Sequence, residues 1–599
     1  MTLSRSLLLS GAILICAGSA FAGKEITDIE IDSVTGSRVE ITSVFDPPPP
    51  TGYLPVRVVA LNGAAKETAW SVNFSCGTQF MNNSHRHSSE FAFTVAPKAR
   101  QTQMLLVPVS VAYGEKGYGA GALTLQGTLR VSGMGAHEFF QYENRVSGFC
   151  AIAMSKALAD NAVSRLEDEV EKRMRTSSRG YGDKVFASRF DPEDLPEDWR
   201  GLSGFDYVII SHSEWQSLKP AARLAVEQWA RLGGRLHIYM GPGATAGALD
   251  LPEDVLTGKS MSFGSVEMIS WDGKFLPTTE TVDRYWRGDE RERELTATYA
   301  AITNVPEWPL LGSLGERSFA SWQVLLFLVV FGILVGPVNL FVLAPSSRRH
   351  RLFVTTPLLS LGASVVMITI LLFQDGMGGI GRRFVSVGLE PGETTAYVTQ
   401  EQVSRTGLLI RSAFEVKHAT LLEPLALPDK PWVKLKDTAS SQATQLRQQG
   451  RQFSGNFFQS RTEQGQLIRA AVPTRARLEL RTGPSTEGAP QLISALGFTA
   501  AEVFYVDAEG NVWKGLRSAA TGQVIETEKS DSATLKAWWK EACKRGGPRT
   551  RQRLARQMEK PNGMFFVKAS QAPDFVLDTL KSIRWSEDEV VVFGAMPKS

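Results

Sequence analysis

Cysteine is scarce in this sequence: Cys16, Cys76, Cys150 and Cys543 are all there are in 599 residues, and no two stand at the close paired spacing of a zinc or thioredoxin-like site. Net charge is scarce too. The 65 basic and 62 acidic side chains leave a formal charge of +3, so no global field draws the chain toward nucleic acid or an acidic substrate. His418 stands alone, the carboxylates are scattered, and neither a metal nor a cofactor is expected. What the chain has is length, enough for three or four domains at roughly 150 residues each.

Residues 1–22 read as an export signal, with Arg5 as the positive start, Leu7 to Ala17 as the apolar stretch and Ala20-Phe21-Ala22 as the small-residue cleavage site. Two further apolar runs lie mid-chain. Val324 to Ala344 and Leu352 to Phe373 contain no charged residue, and at about 1.5 Å per helical residue each matches the roughly 30 Å of hydrocarbon in a bilayer. Between them Arg348, Arg349 and Arg351 crowd a short loop, which the positive-inside rule assigns to the cytoplasm. Export signal and arginine loop agree on a transmembrane hairpin in a bacterial inner membrane, with both flanking regions in the periplasm. Gly336, Pro337 and Asn339 interrupt the first run and predict a packed kink. With no carboxylate or histidine inside the spans, a channel or pump is not expected.

The expected domains are a β-sandwich over 23–148, an α/β domain and membrane approach over 149–318, helices over 319–344 and 352–374 joined by the loop 345–351, and a β-rich region over 375–599. Alternation in Glu25 to Ile31 and Arg38 to Ile41, with further strands at Leu54 to Leu61, Ala69 to Phe74, Glu90 to Val95, Met104 to Val111 and Gly121 to Val131, carries the sandwich. Pro47 to Pro50 predicts an extended spacer between strands. His85 and His87 would share one strand face, but with no third ligand nearby the segment is expected to be an exposed loop. Whether Cys76 and Cys150 form a disulfide is left open.

From Leu158 the pattern changes to helices alternating with strands: a helix to Met174, strands at Val185 to Ala187 and Phe205 to Ser211, a helix from Pro220 to Gly233-Gly234, and a strand from Arg235 to Met240. That alternation indicates an open parallel sheet, whose ligands bind beyond the strand carboxyl ends.

Leu195-Pro196-Glu197-Asp198-Trp199-Arg200-Gly201, Gly204 to Ile210 and Trp229 to Leu236 resemble the class I glutamine amidotransferase-like domain of a group of uncharacterised bacterial membrane proteins. In that group the domain precedes a two-span hairpin similar to Gly336-Pro337-Val338-Asn339. The resemblance implies architecture more than activity, because an amidotransferase needs a cysteine on a glycine-framed turn with a histidine beside it. Here the strand ending at Ile210 runs into Ser211-His212-Ser213-Glu214-Trp215. Ser211 or Ser213 with His212 is the remaining catalytic candidate, and capping of the next helix is the preferred reading. Gly241, Gly243 and Thr245 form a phosphate-cradle-like loop without the P-loop lysine, expected to be a plain crossover.

In the C-terminal region, strands are expected at Phe384 to Val387, Thr394 to Thr399, Gly407 to Ile410 and Ala476 to Leu480, building one or two small β-domains. Asp507 to Asn511 predicts a hairpin turn, and Thr438 to Gly455, rich in Gln, Ser and Arg, a mobile loop or short helix. Lys544, Arg545, Arg549, Arg551, Arg553 and Arg556 concentrate charge beside Trp538 and Trp539. That strip is either a solvated helix face or a surface for anionic headgroups. The function expected from all this is a non-enzymatic envelope scaffold that meets the lipid bilayer and other envelope proteins and no nucleic acid. The alternative is a hydrolase or amidotransferase relative with an atypical nucleophile.

Overall fold

The computed structural model describes residues 23–80, 83–109, 122–143, 151–176, 185–251, 253–256, 262–285, 308–315, 321–425, 444–481 and 489–596. The predicted export signal, Cys16, Cys150 and residues 438–443 lie outside them.

Period-two alternation between residues 25 and 143 builds two facing sheets. One has four antiparallel strands in the order Glu25–Asp32, Ser37–Ser43, Tyr53–Leu61, Arg100–Pro108. The other contains Asn83–Val95, Thr68–Phe80, Ala122–Val131 and Ala136–Glu143. Val39, Ile41, Val56 and Val58 meet Trp70, Val72, Phe74, Leu125 and Leu129 in one buried cluster, because every second side chain of a strand faces the same way. Cys76, on the same face, is fully buried, and burial pushes its thiol up to about 12.

The sandwich does not close on itself as expected. Its second sheet has seven strands, and three come from the far side of the hairpin: Thr444–Gln449, Gln452–Gly455 and Phe414–Glu415. Thr444–Gln449 pairs parallel with Asn83–Val95, placing Leu446 opposite His87 and Arg447 opposite Ser88. Two expectations are thereby corrected. The Gln-rich stretch is strand from Thr444 to Gln449 and from Gln452 to Gly455, and the His85-Arg86-His87 segment is an interior strand segment, with His87 buried 5.5 Å from the Phe457 ring.

The α/β region is a five-stranded parallel sheet in the order Ser188–Phe190, Ile152–Ser155, Tyr207–Ser211, Arg235–Met240, Ser265–Ser270. The second strand falls at Ser188–Phe190, just beyond the expected Val185 to Ala187. Tyr207 and Ile209 join Leu158 and Leu166 of the helix Lys156–Thr176, whereas Val208 and Ile210 join Ala222, Val226 and Trp229 of the helix Pro220–Arg231. Both faces are covered, which is why these strands read as continuous apolar runs. Pro48, Pro49 and Pro50 are buried, and Asp46 and Arg189 exchange backbone hydrogen bonds of 2.7 and 3.0 Å. The expected spacer is therefore the joint between sandwich and α/β region.

Beyond the hairpin lies a nine-stranded sheet running Thr420–Leu425, Glu463–Pro473, Thr395–Thr406, Gly379–Leu389, Ile583–Ala595, Met564–Gln571, Thr499–Val506, Val512–Gly515, Thr527–Ser530. It is one large sheet where small β-domains were expected, and its central pair, Gly379–Leu389 with Ile583–Ala595, is parallel. Arg477–Leu480, Leu492–Ala495 and Val524–Ile525 form a separate three-stranded sheet. Residues 407–410, expected as strand, form a loop. The predicted turn at Asp507 to Asn511 does join two antiparallel strands. Tyr397, Phe566 and Phe593 of the large sheet share a buried cluster with Trp229 and Leu236 of the α/β region, so residues from both sides of the hairpin make one core.

Two helical segments, Leu325–Leu343 and Ser346–Thr369, are long and apolar enough to cross a membrane. Most of their described side chains lie outside the core: Phe341 is 74% and Phe353 86% exposed. The first widens into π-type turns over Leu334–Leu343 around Pro337. There Asn339, almost completely buried, donates to Thr356 Oγ1 at 2.9 Å and accepts from Thr355 Oγ1 at 2.6 Å, as a packed kink would. Arg348, Arg349 and Arg351 sit exposed on the turn Ser346–Arg351.

Candidate functional site

In chain order the parallel sheet runs 2-1-3-4-5, so its topology reverses between Ile152–Ser155 and Tyr207–Ser211, where open α/β sheets usually bind ligands. Ser155 and Ser211 end those two strands and are both buried. Between them lies the carboxylate of Glu214. It accepts from Ser155 Oγ at 2.5 Å, Ser211 Oγ at 2.6 Å and the backbone N–H of Ala157 at 2.8 Å. Ala157 lies in the first turn of the helix Lys156–Thr176, so an internal carboxylate occupies a helix N-terminus, where free N–H groups favour negative charge.

Ser211 is the N-cap of the helix His212–Ser217 and, with Glu214, makes a reciprocal capping box. Its hydroxyl lies 3.3 Å from Ser213 Oγ and 2.6 Å from Glu214, and none of the described hydrogen bonds joins it to His212. Gly241 to Thr245 closes as a turn through an Ala244 N–H to Gly241 carbonyl bond of 3.1 Å, and Gly243 and Thr245 are exposed. Among the described residues the crevice thus contains a satisfied polar bridge, Ser155–Glu214–Ser211. The role of Glu214 was legible in the spacing Ser-x-x-Glu; that of Ser155, 59 residues away, was not.

Sequence reasoning missed a buried carboxylate on the large sheet. Glu401 accepts from Trp308 Nε1 at 3.0 Å, from the Gly547 N–H at 2.6 Å and from Thr550 Oγ1. Burial raises its carboxyl above the ordinary value, against those hydrogen bonds and the charge of Arg551. Gly547 is the N-cap of the helix Pro548–Arg556, so Glu401 holds the start of the basic segment onto the large sheet. Three of the predicted membrane-surface arginines accordingly turn toward the protein. Arg549 lies 3.8 Å from Asp206, Arg553 bonds the Gly233 carbonyl at 3.5 Å, and Arg545 pairs with Glu589 at 3.0 Å. Arg551 is half-buried, whereas Lys544, paired with Glu541, and Arg556 are exposed.

No protein-family profile matches this chain, and no curated protein matches it. Among solved structures it is similar to the yeast delta-COP-I mu-homology domain complexed with a Dsl1 WxWxV peptide, at 9% identity and a TM-score of 0.17, covering 37% of this chain and 96% of that one. A Paenibacillus cycloisomaltooligosaccharide glucanotransferase gives 7% identity and 0.15, covering 32% of this chain and 26% of that one. A glycosyl hydrolase family 2 member from Bacteroides cellulosilyticus gives 10% and 0.13, covering 94% of this chain and 78% of that one. Scores this low establish no shared fold.

Proposed function

We propose that this protein is a non-catalytic scaffold of the bacterial cell envelope, anchored in the inner membrane by the hairpin and presenting one composite body to protein partners in the periplasm. The observation that carries this reading is the parallel pairing of Thr444–Gln449 with Asn83–Val95. Strands before and after the hairpin cannot share a sheet across a bilayer, so both flanks belong on one side. The exposed arginines at the hairpin tip favour the cytoplasm for the tip and the periplasm for the body.

The α/β region is a degenerate amidotransferase-like unit that serves as a rigid connector. Its parallel sheet with helices on both faces is compatible with that reading, and Glu214 fills the crevice where chemistry would take place. Crosslinking in intact membranes followed by identification of captured proteins tests the scaffold role: envelope proteins captured through the body support it, and capture of lipid alone contradicts it. Labelling of the purified protein by a serine-hydrolase probe, abolished by Ser211→Ala, would replace the scaffold with an enzyme.

A further inference from the structure

The second spanning helix, Leu352–Asp375, ends at a glycine turn, with Gly376 and Gly378 at φ of +69° and +84°. The loop after the strand Thr395–Thr406 is tied to that turn by three backbone bonds: Leu408 N–H to Gly376 carbonyl, Gly378 N–H to Leu408 carbonyl, and Gly407 N–H to Gly378 carbonyl, at 3.0, 3.0 and 2.7 Å. A groove of about 860 Å³ opens there, lined by both segments, the stretch around Phe414 and the chain at Thr579 to Ser582. Its volume falls within the ~300–1,000 Å³ of small-ligand sites.

Its chemistry is two-sided. Met377, Leu408 and Ile410 expose 67%, 36% and 82% of their surface directly beside the helix end. Arg411, Lys417, Arg451 and Lys581 also line the groove, against the single carboxylate of Glu415, which lies 3.9 Å from Arg451. Apolar side chains next to a membrane exit, ringed by cations, match the acyl base and anionic head of a phospholipid.

We propose that this groove binds an anionic phospholipid of the leaflet from which the hairpin emerges, its phosphate held by Arg411, Lys417 and Lys581 and its upper acyl region by Met377, Leu408 and Ile410. The proposal rests on the reading of the two helices as membrane spans. The site is separate from the basic strip at Lys544 to Arg556, whose inner arginines are engaged with the protein.

The test uses the full chain in phosphatidylcholine vesicles containing a minority of phosphatidylglycerol, with a photocrosslinking amino acid at Ile410 or, as reference, at Phe353 in the second span. Adducts at Ile410 are expected to be enriched in phosphatidylglycerol by about fivefold or more over the vesicle composition, and to lose that enrichment in the Arg411→Ala/Lys417→Ala/Lys581→Ala variant. Adducts at Phe353 should follow bulk composition. Lipid capture at Phe353 with unselective, absent or protein-only capture at Ile410 overturns the groove alone. Absence of lipid capture at Phe353 overturns the hairpin reading and the groove with it.

Discussion

Tyr53 donates its phenolic hydrogen to Gln448 Oε1 at 2.9 Å, a buried contact between residues 395 positions apart with the entire hairpin between them. Tyr53 belongs to the first sheet of the sandwich and Gln448 to the strand added from beyond the two apolar helices. With Arg231 and Tyr397, which meet at 3.3 Å between the α/β region and the large sheet, this contact makes the two halves interdependent.

The seam should be acid-sensitive through His87. Burial holds its imidazole at about 3 against an ordinary 6.5, so the folded protein keeps it neutral where the unfolded chain would protonate it. Stability from this group is fully present above pH 6.5 and is lost as pH falls from there toward 3. His87→Phe, beside Phe457 and without the unpartnered Nε2, should flatten that decline and raise stability by about 1 kcal/mol at neutral pH. Thermal unfolding of both forms between pH 5 and 8 checks this, and parallel pH curves would contradict it.

At the crevice, Ser211→Ala should cost about 1 kcal/mol, the worth of a helix cap. Glu214→Ala should cost more, because it strips partners from buried Ser155 and Ser211 and from the Ala157 N–H. Neither change should alter partner capture except through stability. Denaturant unfolding alongside crosslinking separates these effects.

Glu401 behaves oppositely to His87. Its raised carboxyl binds a proton more tightly in the folded chain than the ordinary value of 4.5 allows in the unfolded one. Its contribution is therefore greatest below that ordinary value and is lost as pH rises through the raised one. Wild type should lose stability relative to Glu401→Gln as pH rises from about 4 to 8. Glu401→Ala, which orphans Trp308 Nε1, the Gly547 N–H and the Thr550 hydroxyl, should cost about 3 kcal/mol or more at either end. Melting temperatures across that range distinguish the three proteins.

Within the hairpin, Asn339→Leu removes the bonds to Thr355 and Thr356 and should weaken helix association by about 0.6–1.7 kcal/mol. Steric trapping of the reconstituted protein reads this directly. An unchanged association energy would leave the clasp without weight.

The parts readable from sequence are those set by local periodicity. Arg235–Met240 matches its expected limits, and Pro220–Arg231 ends one residue short of the helix expected up to Gly233-Gly234, because a buried strand and a glycine-terminated amphipathic helix announce themselves within ten or so residues. Thr444–Gln449 does not. Along it Leu446 and Gln448 face inward and Gln445, Arg447 and Gln449 outward, a strand alternation hidden because only one of the five is apolar. Its pairing is by backbone to a strand about 360 positions earlier, and a backbone partner leaves no mark on side-chain pattern. Separations of 146 and 149 positions likewise hid the Glu401 contacts to Gly547 and Thr550, and the basic run was left open to two readings that its actual neighbours, Asp206 and Gly233, partly decide.

The most direct test of one body on one side of the membrane is a disulfide across the seam. Ser88 and Arg447 are register neighbours in the parallel pair, so Ser88→Cys with Arg447→Cys should couple on treating intact spheroplasts with a membrane-impermeant oxidant. The account predicts a link that survives proteolytic cutting of the chain between the two positions and is absent from either single variant. If no link forms in spheroplasts and the segment after the second span resists external protease until the membrane is opened, the two halves lie in different compartments and the account is wrong.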